Sequence, residues 1–390
     1  MKSRSSISMA ALGALLVLLL AWSAAPVRAQ EQPRLLVMIS VDQLRGDLLD
    51  RYGSVFSGGL RRLTDEGRRY TGASHAHAIT ETAAGHATLA TGVFPSRSGI
   101  VANSWDQRSP AGWRRGMYAV EDSASPIVGY PEAEGRSPRN LLRPGLADWV
   151  LAANPESRVV SLSGKDRAAI TMAGKARGHV YWLLPSAGRF VTSTHYRDDY
   201  PAWIEEYNET ELSPLLAEGV WENSVPLDQR PLARDDEGAP FEGDGVHTTF
   251  PHRADDELTE PDNPSALSAW ALRQPRSDQA VAGLAMRAVD ELRLGQRGPL
   301  DYLALSFSSV DYVGHDFGPY SQEQLDNLRR LDRVLGELFD HLDRVVGPDR
   351  WVVGFSGDHG VMTVPEVMGD RGEAGQRASR DERMRMAERA

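Results

Sequence analysis

The chain has 390 residues, no cysteine and a formal net charge of −11 at pH 7. An acidic chain of this kind disfavours sequence-independent binding to nucleic acid, which depends on cations that neutralise phosphates. The absence of cysteine excludes disulfide bonds and lipid-modified cysteine, so stability must come from the large core that about 360 residues can form.

Residues 1–29 are predicted to be a secretory signal peptide. Lys2 and Arg4 precede an apolar run over residues 9–22, and small residues follow at the expected cleavage positions. Because that run is shorter than the ~20 residues of a membrane span, an uncleaved anchor is the less favoured alternative. Cleavage would remove three cations and leave a net charge of about −14. We therefore expect a secreted or periplasmic protein without stable membrane insertion.

Three nearly unbroken apolar runs each lead into an aspartate. They are residues 35–41 before Asp42, residues 303–310 before Asp311, and residues 351–357 before Asp358 and His359. Such runs are typical of strands buried on both faces, as in a parallel sheet covered by helices. Because ligands bind beyond the carboxyl ends of the strands in open α/β sheets, the three aspartates predict one site at that edge.

The remaining predicted elements complete an α/β domain over residues 30–390, a mostly parallel sheet sandwiched between helices. The helical patterns cover residues 59–67, 82–91, 277–294 and 321–345, and a further strand covers residues 158–163. Two segments with weak periodicity are predicted to be insertions that form a cap over the site: about 104–155 and about 174–264.

Histidines accompany two of the three aspartates. His315 follows Asp311 by four residues, and His359 is adjacent to Asp358. Mixed carboxylate and imidazole ligands without thiolate favour zinc, then manganese or iron. Calcium and magnesium prefer oxygen ligands throughout. A turn aspartate beside a capping histidine would explain one such motif alone, but three strand ends together favour a metal site.

Thr82 is the candidate nucleophile. It stands at a predicted helix N-terminus, where unpaired N–H groups and the helix dipole favour negative charge. A threonine hydroxyl attacks efficiently only when a base or a metal lowers its pKa. Two alternatives stay open from local sequence alone: Thr82 as an ordinary N-cap, and Thr80 as the nucleophile.

Three further polar residues are candidates for binding an anionic substrate. Lys165 and Arg167 follow the predicted strand at 158–163 as a pair of cations. A guanidinium can bind two oxygens of a phosphate or sulfate, and lysine adds a point charge. Two solvated charges beside Asp166 are the alternative interpretation. Asn103 can donate an N–H group to a substrate oxygen.

Taken together, these motifs resemble the alkaline phosphatase superfamily. The similar branch is the type I phosphodiesterase/nucleotide pyrophosphatase-like group, and within it the broad-specificity bacterial periplasmic alkaline phosphatases with a threonine nucleophile. The matching segments, in chain order, are residues 40–42 (SVD), 82–86 (TAAGH), 163–167 (SGKDR), 190–194 (FVTST), 311–315 (DYVGH) and 358–360 (DHG). The resemblance covers essentially all of residues 30–390.

The resemblance implies two Zn²⁺ ions and hydrolysis of small-molecule phosphate monoesters through a covalent phosphothreonine. One zinc would be bound by Asp42, Asp358, His359 and the Thr82 oxygen, and the other by Asp311, His315 and one further histidine. It also implies that Thr82, rather than Thr80, is the nucleophile. The non-bridging phosphoryl oxygens would be bound by the catalytic residues Asn103, Lys165 and Arg167.

The Lys-x-Arg pair marks the monoesterases of this branch, and the charge argument agrees. A monoester carries a dianionic phosphoryl group, which two extra cations favour over a monoanionic diester. The alternatives are a phosphodiesterase or nucleotide pyrophosphatase on the same fold, and an inactive fragment or pseudoenzyme. A sulfatase is disfavoured, because its nucleophile usually derives from a cysteine.

One departure from the family pattern concerns the second zinc. The family's last zinc histidine lies well beyond the DHG motif, and this sequence has no histidine after His359. We therefore expect a C-terminally incomplete chain whose second zinc site lacks that ligand. The oligomeric state has no signal in the sequence.

Overall fold

The protein is built around one six-stranded sheet, seen in a computed structural model. The structure describes residues 32–110, 112–237, 239–370, 372–378, 382 and 385–386, so the predicted signal peptide lies outside the described residues. The strand order is β10-β1-β9-β4-β5-β6, in which the first five strands are parallel and β6 runs antiparallel to β5. Two small two-stranded sheets, β2-β3 and β7-β8, lie outside it.

The strands and helices alternate in the manner of an α/β domain. The strands are β1 (Leu35–Val41), β2 (Ser104–Ser109), β3 (Gly112–Tyr118), β4 (Val159–Ser163), β5 (His179–Leu184), β6 (Arg189–Val191), β7 (Val220–Trp221), β8 (His252–Arg253), β9 (Asp301–Phe307) and β10 (Trp351–Gly357). The first helices are α1 (Gly46–Arg51), α2 (Gly59–Glu66), α3 (Thr82–Thr91), α4 (Pro95–Ser98), α5 (Leu146–Ala153), α6 (Asp166–Met172) and α7 (Ala202–Tyr207). The later ones are α8 (Ser213–Leu216), α9 (Ala254–Glu257), α10 (Pro264–Leu272), α11 (Arg276–Glu291), α12 (Ser309–Phe317), α13 (Gln322–Val345) and α14 (Pro365–Asp370).

Helices cover both faces of the sheet because side chains alternate along each strand. On one face, Val37 and Ile39 of β1 belong to a buried cluster with the leucines of α11 and α13. On the other face, Tyr302 and Ala304 of β9 pack with Ala147 of α5 and with α6. The structure therefore confirms the predicted mostly parallel sheet between helices.

Helix α13 shows why the periodic patterns predict well. Its leucines recur three or four residues apart and are all buried: Leu325, Leu328, Leu331, Leu335, Leu338 and Leu342. Burial of one such side chain contributes about 1.5–3 kcal/mol relative to exposure, so this stripe dictates how the helix docks. The Ser321 side chain caps the helix by accepting a hydrogen bond from the backbone N–H of Gln324 at 3.1 Å.

Two details of the sheet differ from the sequence-based expectations. Strand β10 lies at one edge and its residues are mostly half-buried, so it is not a strand buried on both faces. Strands β5 and β6 fall inside the segment predicted as the second insertion, yet they extend the main sheet. These two strands are short and have polar and proline-rich flanks, so the periodicity of the sequence does not predict them. The cap role of the remaining insertion residues stays a prediction.

Among the residues that the structure describes, no helix combines the length and the hydropathy needed to cross a membrane.

Candidate active site

The carboxyl ends of four neighbouring strands carry the predicted site residues. Asp42 follows β1, Asp358 follows β10, and Lys165 lies two residues beyond β4. Since β10, β1, β9 and β4 are adjacent and parallel, their ends meet at one edge of the sheet. The structure therefore brings these predicted residues to one edge of the sheet.

Asp311 reaches the same edge by a different route from the one predicted. Strand β9 ends at Phe307, and Asp311 lies in the first turn of α12 rather than directly after a strand. The reason is Asp278 of α11, whose Oδ1 atom accepts the backbone N–H groups of Ser308 and Ser309 at 2.8 and 3.0 Å. A carboxylate that accepts these unpaired donors stabilises a helix start there.

Asp42, Asp311 and His359 form a buried group that could bind a metal ion. One potential ligand atom from each of the three residues lies within 4.8 Å of the others. His359 Nε2 lies 3.1 Å from Asp42 Oδ1 and 3.7 Å from Asp358 Oδ2. The structure therefore brings together residues that the family resemblance assigns to two different zinc ions.

The ammonium group of Lys165 lies between two of these carboxylates. Its Nζ atom donates to Asp42 Oδ2 at 2.7 Å and also to Asp311 Oδ2. Burial would raise the pKa of Asp42, but Lys165 foremost, followed by His359, outweighs it and holds that pKa well below the ordinary value. Burial acts to lower the pKa of Lys165, yet Asp42 and Asp311 raise it above its ordinary value.

The residues present fit a bound cation. Lys165 already places a positive charge between two carboxylates, which shows that the pocket stabilises cations. Two buried carboxylate oxygens, Asp42 Oδ1 and Asp358 Oδ2, have no well-aligned hydrogen-bond donor among the described residues, and the nitrogens near them are those of His359 at 3.1 Å and His86 at 3.0 Å. Buried carboxylates are normally paired or bind metals, so these oxygens are suitable ligands.

His315 lies at the margin of this group. Its Nε2 atom is 3.2 Å from Asp311 Oδ1, and its side chain is 62% exposed. The hydrogen bond to Asp311 raises the pKa of His315 more than burial lowers it. The structure thus places His315 beside one predicted ligand of the second zinc.

Thr82 is the first residue of α3, and its side chain is buried. The N-cap is Glu81, so the alternative in which Thr82 is an ordinary N-cap is wrong. Thr80 is exposed and precedes the helix, so it lies outside the first turn. Gly85 lets α3 approach the site, because a Cβ there would lie 2.3 Å from the backbone oxygen of Asp358.

Arg167 and Asn103 both lie beside the N-terminus of α3. Arg167 Nη2 is 3.4 Å from Thr82 Oγ1, and Arg167 Nε is buried without a hydrogen-bond partner among the described residues. Asn103 Oδ1 accepts the backbone N–H of Ala83 at 2.9 Å, which fixes the amide next to Thr82. These contacts bring Thr82, Asn103 and Arg167 together, while Lys165 points at the carboxylates.

Two further residues, Gln43 and His86, contact the carboxylates of the site. The sequence indicates no role for Gln43, and for His86 it indicates only a role in shaping the turn at Thr82. Gln43 donates from its backbone N to Asp358 Oδ1 at 3.0 Å and from Nε2 to Asp311 Oδ1 at 2.8 Å. His86 Nδ1 lies 2.8 Å from the Thr82 carbonyl oxygen and 3.0 Å from Asp358 Oδ2. Both residues immediately adjoin predicted motif residues, and that adjacency was the available signal.

The chain is similar to known proteins over most of its length. The family model for type I phosphodiesterase / nucleotide pyrophosphatase matches residues 36–388. Alkaline phosphatase PhoV of Synechococcus elongatus is 34% identical over 86% of this chain and 60% of its own length. Alkaline phosphatase PafA of Elizabethkingia meningoseptica is 32% identical over 85% of this chain and 60% of its own length.

A solved structure shows the same fold. The crystal structure of wild-type alkaline phosphatase PafA superimposes with a TM-score of 0.80 and 32% identity, and the match covers 88% of this chain and 65% of that one. The chain spans about three-fifths of the length of the curated relatives it matches. Because the family model covers nearly the whole described domain, the chain belongs to the type I phosphodiesterase / nucleotide pyrophosphatase family.

Proposed function

We propose that the protein is a zinc-dependent phosphate monoesterase that acts through a covalent phosphothreonine at Thr82. The observation that carries the proposal is the position of Arg167, whose Nη2 atom lies 3.4 Å from the Thr82 hydroxyl oxygen at a helix N-terminus. A guanidinium beside a buried hydroxyl suits a phosphoryl group that is transferred to that oxygen. Similarity to proteins named alkaline phosphatases supports the same activity.

The metal would be bound by the carboxylate and imidazole group. Asp42, Asp311 and His359 are the central candidates, with Asp358, His315 and Thr82 as the further ligands of two Zn²⁺ ions. Carboxylate and imidazole donors without thiolate suit zinc, and manganese or iron less well. A bound zinc ion supplies Lewis acidity, which favours the ionised form of a coordinated hydroxyl or water.

The chain's own residues account for binding and transfer. Arg167 and Asn103 would bind non-bridging phosphoryl oxygens beside Thr82, and the first turn of α3 adds its N–H groups. Thr82 then loses its hydroxyl proton to solvent as its oxygen forms a bond to phosphorus, and the bond from phosphorus to the ester oxygen breaks, so that the alcohol leaves after it takes up a proton from water. Water hydrolyses the phosphothreonine and restores the hydroxyl. Lys165 would add charge to this site from its place next to Asp42.

A phosphodiesterase on the same fold is the second candidate, because the matching family model is named for that activity. The two candidates differ in how much they need Arg167, because a diester carries one negative charge fewer on its phosphoryl group. We place substrates in the class of small phosphate esters and expect export through the predicted signal peptide.

Replacement of Arg167 tests the proposal. We expect Arg167→Ala to lower kcat/KM for an aryl phosphate monoester by about 10³-fold, within the range for loss of one transition-state donor plus its charge, and to lower diester turnover by less than about tenfold. The exposed Arg97 of α4 offers a matched control, since Arg97→Ala should leave both rates unchanged. Equal losses on both esters would contradict a role for Arg167 in monoester binding.

The metal requirement is tested on the same protein. Dialysis against a chelator should remove the activity, and added zinc should restore it better than magnesium or calcium. Full activity after complete metal removal would contradict the proposal.

A further inference from the structure

Arg167 is fixed by a phenol rather than by a carboxylate. Its Nη1 atom donates to the hydroxyl oxygen of Tyr118 at 3.3 Å, while Nη2 faces Thr82 Oγ1. Tyr118 ends strand β3, so the hairpin formed by β2 and β3 delivers this phenol to the nucleophile. The Nε atom lies on the same edge of the guanidinium as Nη2 and is buried without a hydrogen-bond partner among the described residues, so this edge can donate to a ligand.

The phenol is itself held in one orientation. Tyr118 donates its proton to Asp166 Oδ1 at 2.5 Å, so the oxygen lone pair is left to accept from Arg167. Arg136 donates from Nε to Asp166 Oδ2 at 2.6 Å, and its guanidinium lies 4.9 Å from the centre of the Tyr118 ring. Three contacts therefore fix the ring and its hydroxyl.

The charges of this network leave the positive charge of Arg167 available to a ligand. Asp166 forms its ion pair with Arg136, and only its Oδ1 atom reaches Arg167, through the backbone N–H at 2.6 Å. Burial foremost, and then the charge of Asp166, raises the pKa of Tyr118 above its ordinary value. The hydroxyl therefore keeps its proton, and its orientation, in alkaline solution.

We propose that Tyr118, held by Asp166 and Arg136, is a positioning residue that directs the Arg167 guanidinium towards a phosphoryl group at Thr82. The inference rests on the proposed function and adds the element that sets monoester preference. Without the phenol, Arg167 would lose the hydrogen-bond acceptor of its Nη1 atom, and Asp166 Oδ1 would lose a donor. The guanidinium would then turn towards Asp166 and away from Thr82.

A double-mutant cycle separates this role from a general structural one. The proteins are the wild type, Tyr118→Phe, Arg167→Ala and the double variant, each supplied with zinc. The measurements are kcat/KM for an aryl phosphate monoester and its diester, and the Kd of inorganic phosphate from titration calorimetry. Tyr200→Phe is the matched control, because its hydroxyl donates to the Val128 carbonyl oxygen at 2.8 Å, away from Arg167.

We expect Tyr118→Phe to lower monoester kcat/KM and phosphate affinity by about tenfold each, the scale of one hydrogen bond to a charged group. Diester turnover should change by less than about twofold, and the same substitution should change the Arg167→Ala protein by less than about twofold. Tyr200→Phe should match the wild type in every assay.

Other outcomes overturn the inference. Equal losses with and without Arg167 would show that Tyr118 does not act through it, and an unchanged phosphate Kd in Tyr118→Phe would show that it positions nothing. If the wild type hydrolysed neither ester, the proposed function would fail for this chain, while the phosphate Kd values of the four proteins would still decide the role of Tyr118. Absence of phosphate binding by the wild type would overturn both.

Discussion

Two buried clusters of carboxylates and histidine among the described residues differ in their position: the first lies at the ends of the sheet strands, and the second does not. The first contains Asp42, Asp311 and His359. The second surrounds His252 near the start of α13, where His252 Nδ1 lies 2.8 Å from Glu257 Oε1 and its Nε2 lies 3.3 Å from Glu323 Oε1.

The two clusters stabilise their charges differently. In the second, the histidine is itself the cation: its ring packs 5.3 Å from Trp221, 5.1 Å from Phe250 and 4.9 Å from Phe317, between two glutamates. In the first, an amine from a neighbouring strand end, Lys165, lies between two carboxylates, and a histidine is a second cation there because Asp42 and Asp358 raise the pKa of His359 to about 9 despite its burial.

The carboxylate pKa values point in opposite directions. Asp236 belongs to the second cluster through its interactions with Glu323 and His252, and burial, followed by the charge of Glu323, raises its pKa to about 6. In the first cluster the pKa of Asp42 lies well below its ordinary value despite burial, chiefly because of Lys165. A lowered pKa keeps the carboxylate ionised and able to bind a metal, whereas a raised one favours a bound proton. A buried acid–histidine group is therefore not by itself evidence for a metal site.

The largest expected effect separates the clusters by function. Asp42→Asn should lower monoester kcat/KM by more than about 10³-fold and reduce the zinc retained after dialysis, because the amide removes a charged ligand. Asp236→Asn is the matched change in the second cluster and should leave zinc content and rate near wild type. Retained zinc and activity in Asp42→Asn would remove the first cluster from the proposed site.

A smaller effect should follow from loss of close packing at the first cluster. Gly85→Ala places a methyl group 2.3 Å from the backbone oxygen of Asp358, so α3 or the end of β10 must shift. Because Thr82 lies on α3, we expect kcat/KM to fall by about 10²-fold. Gly53→Ala is the control, since a Cβ there meets no atom within 4 Å. Wild-type kinetics in Gly85→Ala would show that the separation of α3 and Asp358 does not matter.

The sequence correctly predicts those elements whose pattern lies within one short segment of the chain. The apolar runs before Asp42 and Asp358 and the leucine stripe of α13 are contiguous patterns, and the structure confirms the elements they predicted. The prediction that Asp311 directly follows a strand was wrong. The helix α12 starts before Asp311, because its N-terminus is capped by Asp278, thirty residues before Ser308 in the chain. The periodicity of a local segment does not predict a contact between residues so far apart in the chain.

The missed parts of the site have the same origin. Tyr118 and Asp166 are 48 residues apart, and nothing in either local sequence indicates that they meet. Gln43 adopts a left-handed backbone with φ of 65°, a conformation that a non-glycine side chain does not signal. Its two hydrogen bonds to Asp358 and Asp311 hold it there, and strained residues of this kind concentrate at functional sites.

The smallest expected effect concerns stability and belongs to the second cluster. Burial acts to lower the pKa of His252, but the hydrogen bonds to Glu257 and Glu323 outweigh it and raise that pKa to about 9. A raised histidine pKa contributes stability that is fully present below the unfolded value of about 6.5 and is lost as the pH rises through about 9. The free energy of unfolding should therefore fall by about 2 kcal/mol between pH 6.5 and 9.

Urea unfolding of the zinc-loaded wild type and His252→Gln at several pH values measures this contribution. We expect the variant to be less stable at pH 6.5 and to lose less stability towards pH 9, because glutamine carries no charge to lose. His247→Gln is the control, since that partly exposed histidine pairs with Asp244 at 2.8 Å. Parallel curves for the wild type and His252→Gln would mean that His252 is not the cation of the second cluster, and the contrast between the clusters would then rest on Lys165 alone.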